Sequence, residues 1–210
     1  MTVVSCVLLL AGVASAGTLE VRVLDPAGEA VPEVAVFVNQ LGVNAAADRE
    51  REPAVMDQRD SRFVPHVLVV EKGAGVEFPN SDIIAHHVYS FSKPNDFVLP
   101  LYKGSPPDPV RFEHDGIVTL GCNIHDHMLA YIVVVDTPVF GVTDRNGTVS
   151  LQVDDAATGY EVHAWSARIR DSKRPLVQQT ATAGEMIFSL EKKLRPRHDD
   201  ETDSVQWDEY

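Results

Sequence analysis

Cysteine is nearly absent from this sequence, which carries only Cys6 and Cys122 in 210 residues. A disulfide framework of the kind that staples small secreted domains is therefore excluded. Basic residues are also scarce, with 18 Lys and Arg against 31 Asp and Glu and a net charge of -13. Nucleic-acid binding is excluded on that ground, because holding a phosphate backbone takes clustered Lys and Arg. No apolar run reaches the roughly 20 residues that a membrane-crossing helix needs, so no membrane span is expected. Sustained helical periodicity is missing too. What remains is an ordinary globular composition, 44% hydrophobic and 23% charged with 13 Gly and 13 Pro, which is neither fibrous nor disordered.

The N-terminal stretch "MTVVSCVLLLAGVASAG" is apolar and ends in Ala14-Ser15-Ala16, the small-x-small pattern of a signal-peptidase site before Gly17. It lacks the usual basic n-region. Residues 1–16 are expected to be a signal peptide and the protein to be periplasmic or secreted. Cleavage would remove Cys6 and leave Cys122 alone. A single thiol in an oxidising compartment must be buried and inert, paired between chains, or held by a metal.

Short runs rich in Val, Ile, Phe and Tyr recur along the chain: "LEVRVLD", "EVAVFVN", "HVLVV", "HHVYSF", "GIVTLGC" and "MLAYIVVVD", separated by Gly, Pro, Asn and Asp. These predict an all-β chain built as one or two sandwiches. The two ends share a rhythm of strand and turn. Val23, Asp25, Gly28 and Val31 form one V-x-D-x-x-G-x-x-V element. Thr143, Asp144, Gly147, Leu151 and Val153 form a T-D-x-x-G-x-x-x-L-x-V element, and Gly159, Tyr160 and Val162 read G-Y-x-V. In these elements the chain ends resemble the halves of a carboxypeptidase-regulatory-like, or transthyretin-like, β-sandwich. The resemblance implies halves at 17–49 and 138–194 with a second domain, 50–137, inserted between them. Residues 195–210 are acidic and poor in apolar side chains, and a disordered tail is expected there.

Within the inserted segment, "GCNIHDHM" places Cys122, His125 and Met128 at C-x2-H-x2-M between two strand-like runs. Thiolate, imidazole and thioether are the soft set that suits copper, and a second histidine from another strand would complete a His2Cys site with a weak axial Met. Zinc also takes Cys and His, but Met128 argues against it. Upstream lies the adjacent pair His86 and His87, of which only one can aim at a single ion if the segment is extended. His127 is expected to be solvent-exposed and His66 a strand residue. His114, His163 and His198 lack a ligand context, and Asn80 reads as a turn residue or a support for the ligands.

Two longer patterns flank this loop. Gly73, Val76, Phe78, Asn80, His86 and Val88 match G-x-x-V-x-aromatic-x-N-x5-H-x-V, and Phe112, Gly116 and Cys122 match F-x3-G-x5-C. With the short loop, they resemble the cupredoxins, the blue-copper Greek-key β-sandwiches, and among them the amicyanin type. The resemblance runs from about residue 54 to 136. It implies one type 1 copper held by His86, Cys122, His125 and Met128, and single-electron transfer between redox partner proteins. His87 stands where the family usually has Asn. No enzymatic activity is expected: multicopper oxidases and copper nitrite reductases need further histidines, and His125-Asp126-His127 is the only H-x-H here. A copper-binding role in tolerance or delivery is the alternative.

Overall fold

Burial with a period of two sets the strands. In β1 (Ala16–Leu24), Leu19, Val21 and Val23 are buried while Thr18, Glu20 and Arg22 face water. The computed structural model describes residues 16–43, 52–104, 108–169 and 173–196. Residues 1–15 of the expected 1–16 signal segment, the junction at 44–51 and residues 197–210 of the expected 195–210 tail lie outside them. The described residues are all-β. Their further strands are β2 (Ala35–Leu41), β3 (Ala54–Val55), β4 (Asp57–Arg59), β5 (Arg62–Val64), β6 (Val67–Glu71), β7 (Gly75–Glu77), β8 (His86–Ser90), β9 (Phe97–Tyr102) and β10 (Val110–Arg111). After these come β11 (Gly116–Gly121), β12 (Leu129–Val135), β13 (Phe140–Val142), β14 (Thr148–Asp154), β15 (Gly159–Trp165), β16 (Leu176–Thr180) and β17 (Gly184–Ser189).

Strands near the two ends of the chain pair with one another. β1 lies between β14, antiparallel, and β17, parallel, while β2 and β15 sit at the centre of the order β13-β2-β15-β16. The two sheets close over a shared core that includes Val21, Val23, Val36, Val38, Leu151, Val162 and Phe188. Two aspartates shape the turns by accepting backbone hydrogen bonds. Asp25 Oδ1 accepts from the amides of Ala27 and Glu29 at 2.8 and 2.9 Å. Asp144 Oδ1 accepts from those of Asn146 and Thr148, both at 2.9 Å. Gly147 follows with φ of +69°, seated so closely that a Cβ would stand 2.7 Å from Val23 O. Only glycine combines that conformation with that approach.

The middle of the chain builds a five-stranded sheet, β6-β12-β11-β8-β9, packed against the small sheet β10-β7-β3. Phe78, Phe112, Val88, Leu120 and Ile132 share its core. β12 is apolar on both faces because both are covered. Ala130, Ile132 and Val134 face this second core, whereas Val133 and Val135 join Ala35, Val67, Val69 and Trp165 in a third cluster that ties the two assemblies together.

Thr143 is a buried polar tie within the chain-end sandwich. Its buried hydroxyl donates to Val31 O and accepts from Val34 N, both at 2.9 Å. Thr143→Val keeps the shape but strands both backbone groups, which costs about 1–3 kcal/mol. The urea midpoint should fall accordingly; an unchanged midpoint would contradict this role.

Candidate metal centre

β11 and β12 run antiparallel with Gly121 opposite Leu129, so residues 122–128 must turn back on themselves. The amide of Met128 donates to His125 O at 3.0 Å and closes the turn. Parity then decides which side chains enter the core. Val118, Leu120 and Cys122 share one face of β11 and its extension, and Met128, Ala130 and Ile132 share the matching face leading into β12. Cys122 and Met128 are thereby buried at the end of the same core, at 4% and 2% exposure. His125 occupies the crest of the loop, half-buried, while Asn123, Ile124, Asp126 and His127 are exposed.

On β8 the same rule separates the histidine pair. His86, Val88 and Ser90 are buried, with His86 at 0% exposure, and His87 and Tyr89 are half-buried. His86 Nδ1 lies 3.1 Å from His125 Nδ1, and His125 Nδ1 lies 3.8 Å from Cys122 Sγ. One donor atom from each of these three residues falls within 4.8 Å of the other two. Two donors bound about 2 Å from one ion at a tetrahedral angle stand about 3.3 Å apart, so the spacings suit a single small ion. Two imidazole lone pairs facing each other at 3.1 Å also call for a proton or a cation between them. A soft thiol beside two imidazoles, with the Met128 thioether buried in the same core as Cys122, makes copper the fitting ion.

The surroundings hold the donors in place. His86 Nε2 is 2.9 Å from Asp82 Oδ2. The amide of Ser61, followed by the His86 ring, holds the Asp82 carboxyl well below the usual carboxylate range, at about 2. Asn80, which is buried, donates to Ile84 O and Tyr102 O at 3.0 and 2.9 Å and accepts from the amide of Asp82 at 3.0 Å. It knits together the loop that leads into His86. Burial first, then the proximity of His86 and His127, lowers the affinity of His125 for a proton.

The remaining described histidines are not part of the three-donor group. His127 is exposed, its ring 5.8 Å from that of His125. His66 packs edge-on against Tyr131 at 5.5 Å. His163 stacks on Phe37 at 4.6 Å, and its Nε2 is 2.9 Å from Glu161. His114 is exposed and His198 lies outside the described residues. Asp82 was not singled out from sequence; its signal was a carboxylate four residues before a histidine.

No family model matches the chain, and no curated protein matches it. Among solved structures it is similar to a Cu-containing nitrite reductase from Thermus scotoductus SA-01, at 26% identity and a TM-score of 0.39, over 46% of this chain and 25% of that one. The chain thus spans a quarter of the reductase's length. It is also similar to a purple cupredoxin from Nitrosopumilus maritimus, at 18% identity and a TM-score of 0.35, over 39% of this chain and 99% of that one. An amicyanin variant in its reduced Cu(I) form matches at 20% identity and a TM-score of 0.37, over 48% of this chain and 98% of that one.

In the metal-free protein His125 should titrate below the ordinary histidine value of about 6.5. The unfolded chain then takes up this proton first, so the contribution of His125 to stability falls as pH drops from about 6.5 to its folded value. An NMR titration of the ring measures this directly. A value at or above about 6.5 would contradict this half-buried placement beside His86.

Proposed function

We propose that the protein is a periplasmic or secreted electron carrier that holds one type 1 copper ion through His86, Cys122 and His125, with Met128 as the weak axial ligand. The observation that carries this reading is the convergence of one buried thiol and two imidazole nitrogens within 4.8 Å, with a thioether buried in the same core as the thiol. Copper supplies reversible one-electron exchange at such a site.

The chain contributes rigidity and a way out for the electron. Cys122 and Met128 are anchored in the core of a sandwich and His86 at the start of β8, so the donors have little room to rearrange. His125 alone of the imidazole donors approaches the surface. Ile124, next to His125 in the chain, and Ile83, next to Asp82, are exposed at 52% and 84% and offer apolar side chains to a docking redox partner. The net charge of -13 favours partners with basic patches and makes their association sensitive to salt. The sandwich built from the chain ends fits a transthyretin-like frame around the copper-binding insert.

Two observations favour a second reading, copper tolerance or delivery. His87 Nδ1 is buried without a hydrogen-bond partner among the described residues, and His127 stands exposed beside the centre. Extra imidazoles of this kind suit hand-over of an ion.

Adding Cu(II) to the purified protein should produce an intense visible absorption band from thiolate-to-copper charge transfer, absent in Cys122→Ser, and reversible voltammetry. A colourless wild type, or a band that survives Cys122→Ser, would refute the carrier. Colour without a reversible wave, together with rapid transfer of Cu(I) to an acceptor, would favour delivery.

A further inference from the structure

An imidazole offers one nitrogen to a metal only when the other keeps the proton, so whatever fixes that proton fixes the ligand. His86 is fixed by a side chain that is neither on its own strand nor in the loop that carries Cys122 and His125. Asp82 Oδ2 lies 2.9 Å from His86 Nε2. An ionised carboxylate can only accept, so Nε2–H donates to it and Nδ1, which faces His125, is left with its lone pair.

Asp82 is itself held on several sides. Its Oδ2 also accepts from the amide of Ser61 at 2.8 Å, its Oδ1 accepts from the amide of Ile83 at 2.7 Å, and its own amide donates to Asn80 Oδ1 at 3.0 Å. Ser61 belongs to the turn between β4 and β5. Both residues of that turn, Asp60 and Ser61, take left-handed φ values of 50° and 53°, a conformation that hairpins usually assign to Asn and Gly. Without that turn the Ser61 amide would not point at Asp82. The hairpin is latched in return, since the amide of Ser81 donates to Asp57 Oδ1 at 3.2 Å. At 8% side-chain exposure the Asp82 carboxylate is largely shielded from water, which strengthens its pull on His86.

We propose that Asp82 is the positioning residue of the metal centre: supported by the β4–β5 hairpin, it locks His86 in the Nε2–H tautomer and, by making the imidazole a stronger donor, favours Cu(II) over Cu(I). The tautomer needs no metal. The preference between oxidation states rests on the copper reading above.

The test uses the full chain with and without metal. In the metal-free wild type at about pH 8, where histidine is neutral, nitrogen-15 NMR should show His86 as the Nε2–H tautomer alone. Asp82→Ala should give a mixture, and Asp82→Asn should restore the tautomer, because the amide oxygen still accepts. Competition assays should then show Cu(II) affinity falling about 10–100-fold in Asp82→Ala, with Cu(I) affinity falling less, so that the reduction potential rises. Asp82→Asn should lie between. An unchanged tautomer in Asp82→Ala, or an unchanged ratio of Cu(II) to Cu(I) affinity, would overturn the proposal. A wild type that gives the expected tautomer but no colour with Cu(II) would sink the copper reading, and with it the second half of the proposal, while leaving the positioning role standing.

Discussion

A β-strand presents alternate side chains to opposite faces, and the candidate metal centre depends on that parity in three places. Counting forward along β11 from the core residue Leu120 brings Cys122 to the same face, and counting forward into β12 from Met128 reaches Ala130 and Ile132 on that face too. On β8 the buried set is His86, Val88 and Ser90. A one-residue slip in any of these strands would send a donor to the opposite side of the sheet. The chemistry of the loop is therefore set by the registers of the sheet beneath it, in particular by Gly121 lying opposite Leu129 on one side and Tyr89 on the other.

That sheet is stiffened from behind. β6 and β12 run parallel at one edge, and their outer faces are covered by Ala35 and Trp165 from the chain-end sandwich, with Tyr131 and Trp165 meeting edge to face at 5.3 Å. Val67, Val69, Val133 and Val135 are buried in the cluster where the two assemblies meet. Removing the chain-end strands would uncover this row of valines, at a cost of about 25 cal/mol for each Å² of apolar surface returned to water. The outer sandwich is thus part of what keeps the donors in register, besides any role it has in docking.

Much of this was legible in the sequence because it is written in local patterns. The all-β class followed from alternation within runs such as "LEVRVLD", and the Asp25 and Asp144 turns stood out by their residue types. Strand parity alone leaves His86 and His87 alike and only the family spacing pointed to His86, which is the residue that β8 buries. β9 was harder to see because Pro100 interrupts it, and the strand tolerates that residue by lying at the edge of its sheet. β16, with sequence LVQQT, faces water along most of its length and gives little alternation to detect. The parallel pairing of β1 with β17 joins residues far apart in the chain, which no short window can reveal. Asp82 stayed hidden for a different reason: within "NSDII" it reads as one more turn residue, and its value comes from the Ser61 turn and His86, which only the folded chain brings to it.

The central claim is that one ion is held jointly by two imidazoles and one thiolate from β8 and the β11–β12 loop. X-ray absorption at the copper edge of the Cu(II)-loaded protein measures this most directly. Expected is one copper per chain with a single short sulfur bond and two nitrogen bonds, the sulfur shell disappearing in Cys122→Ser. A shell of nitrogen and oxygen alone in the wild type would contradict it.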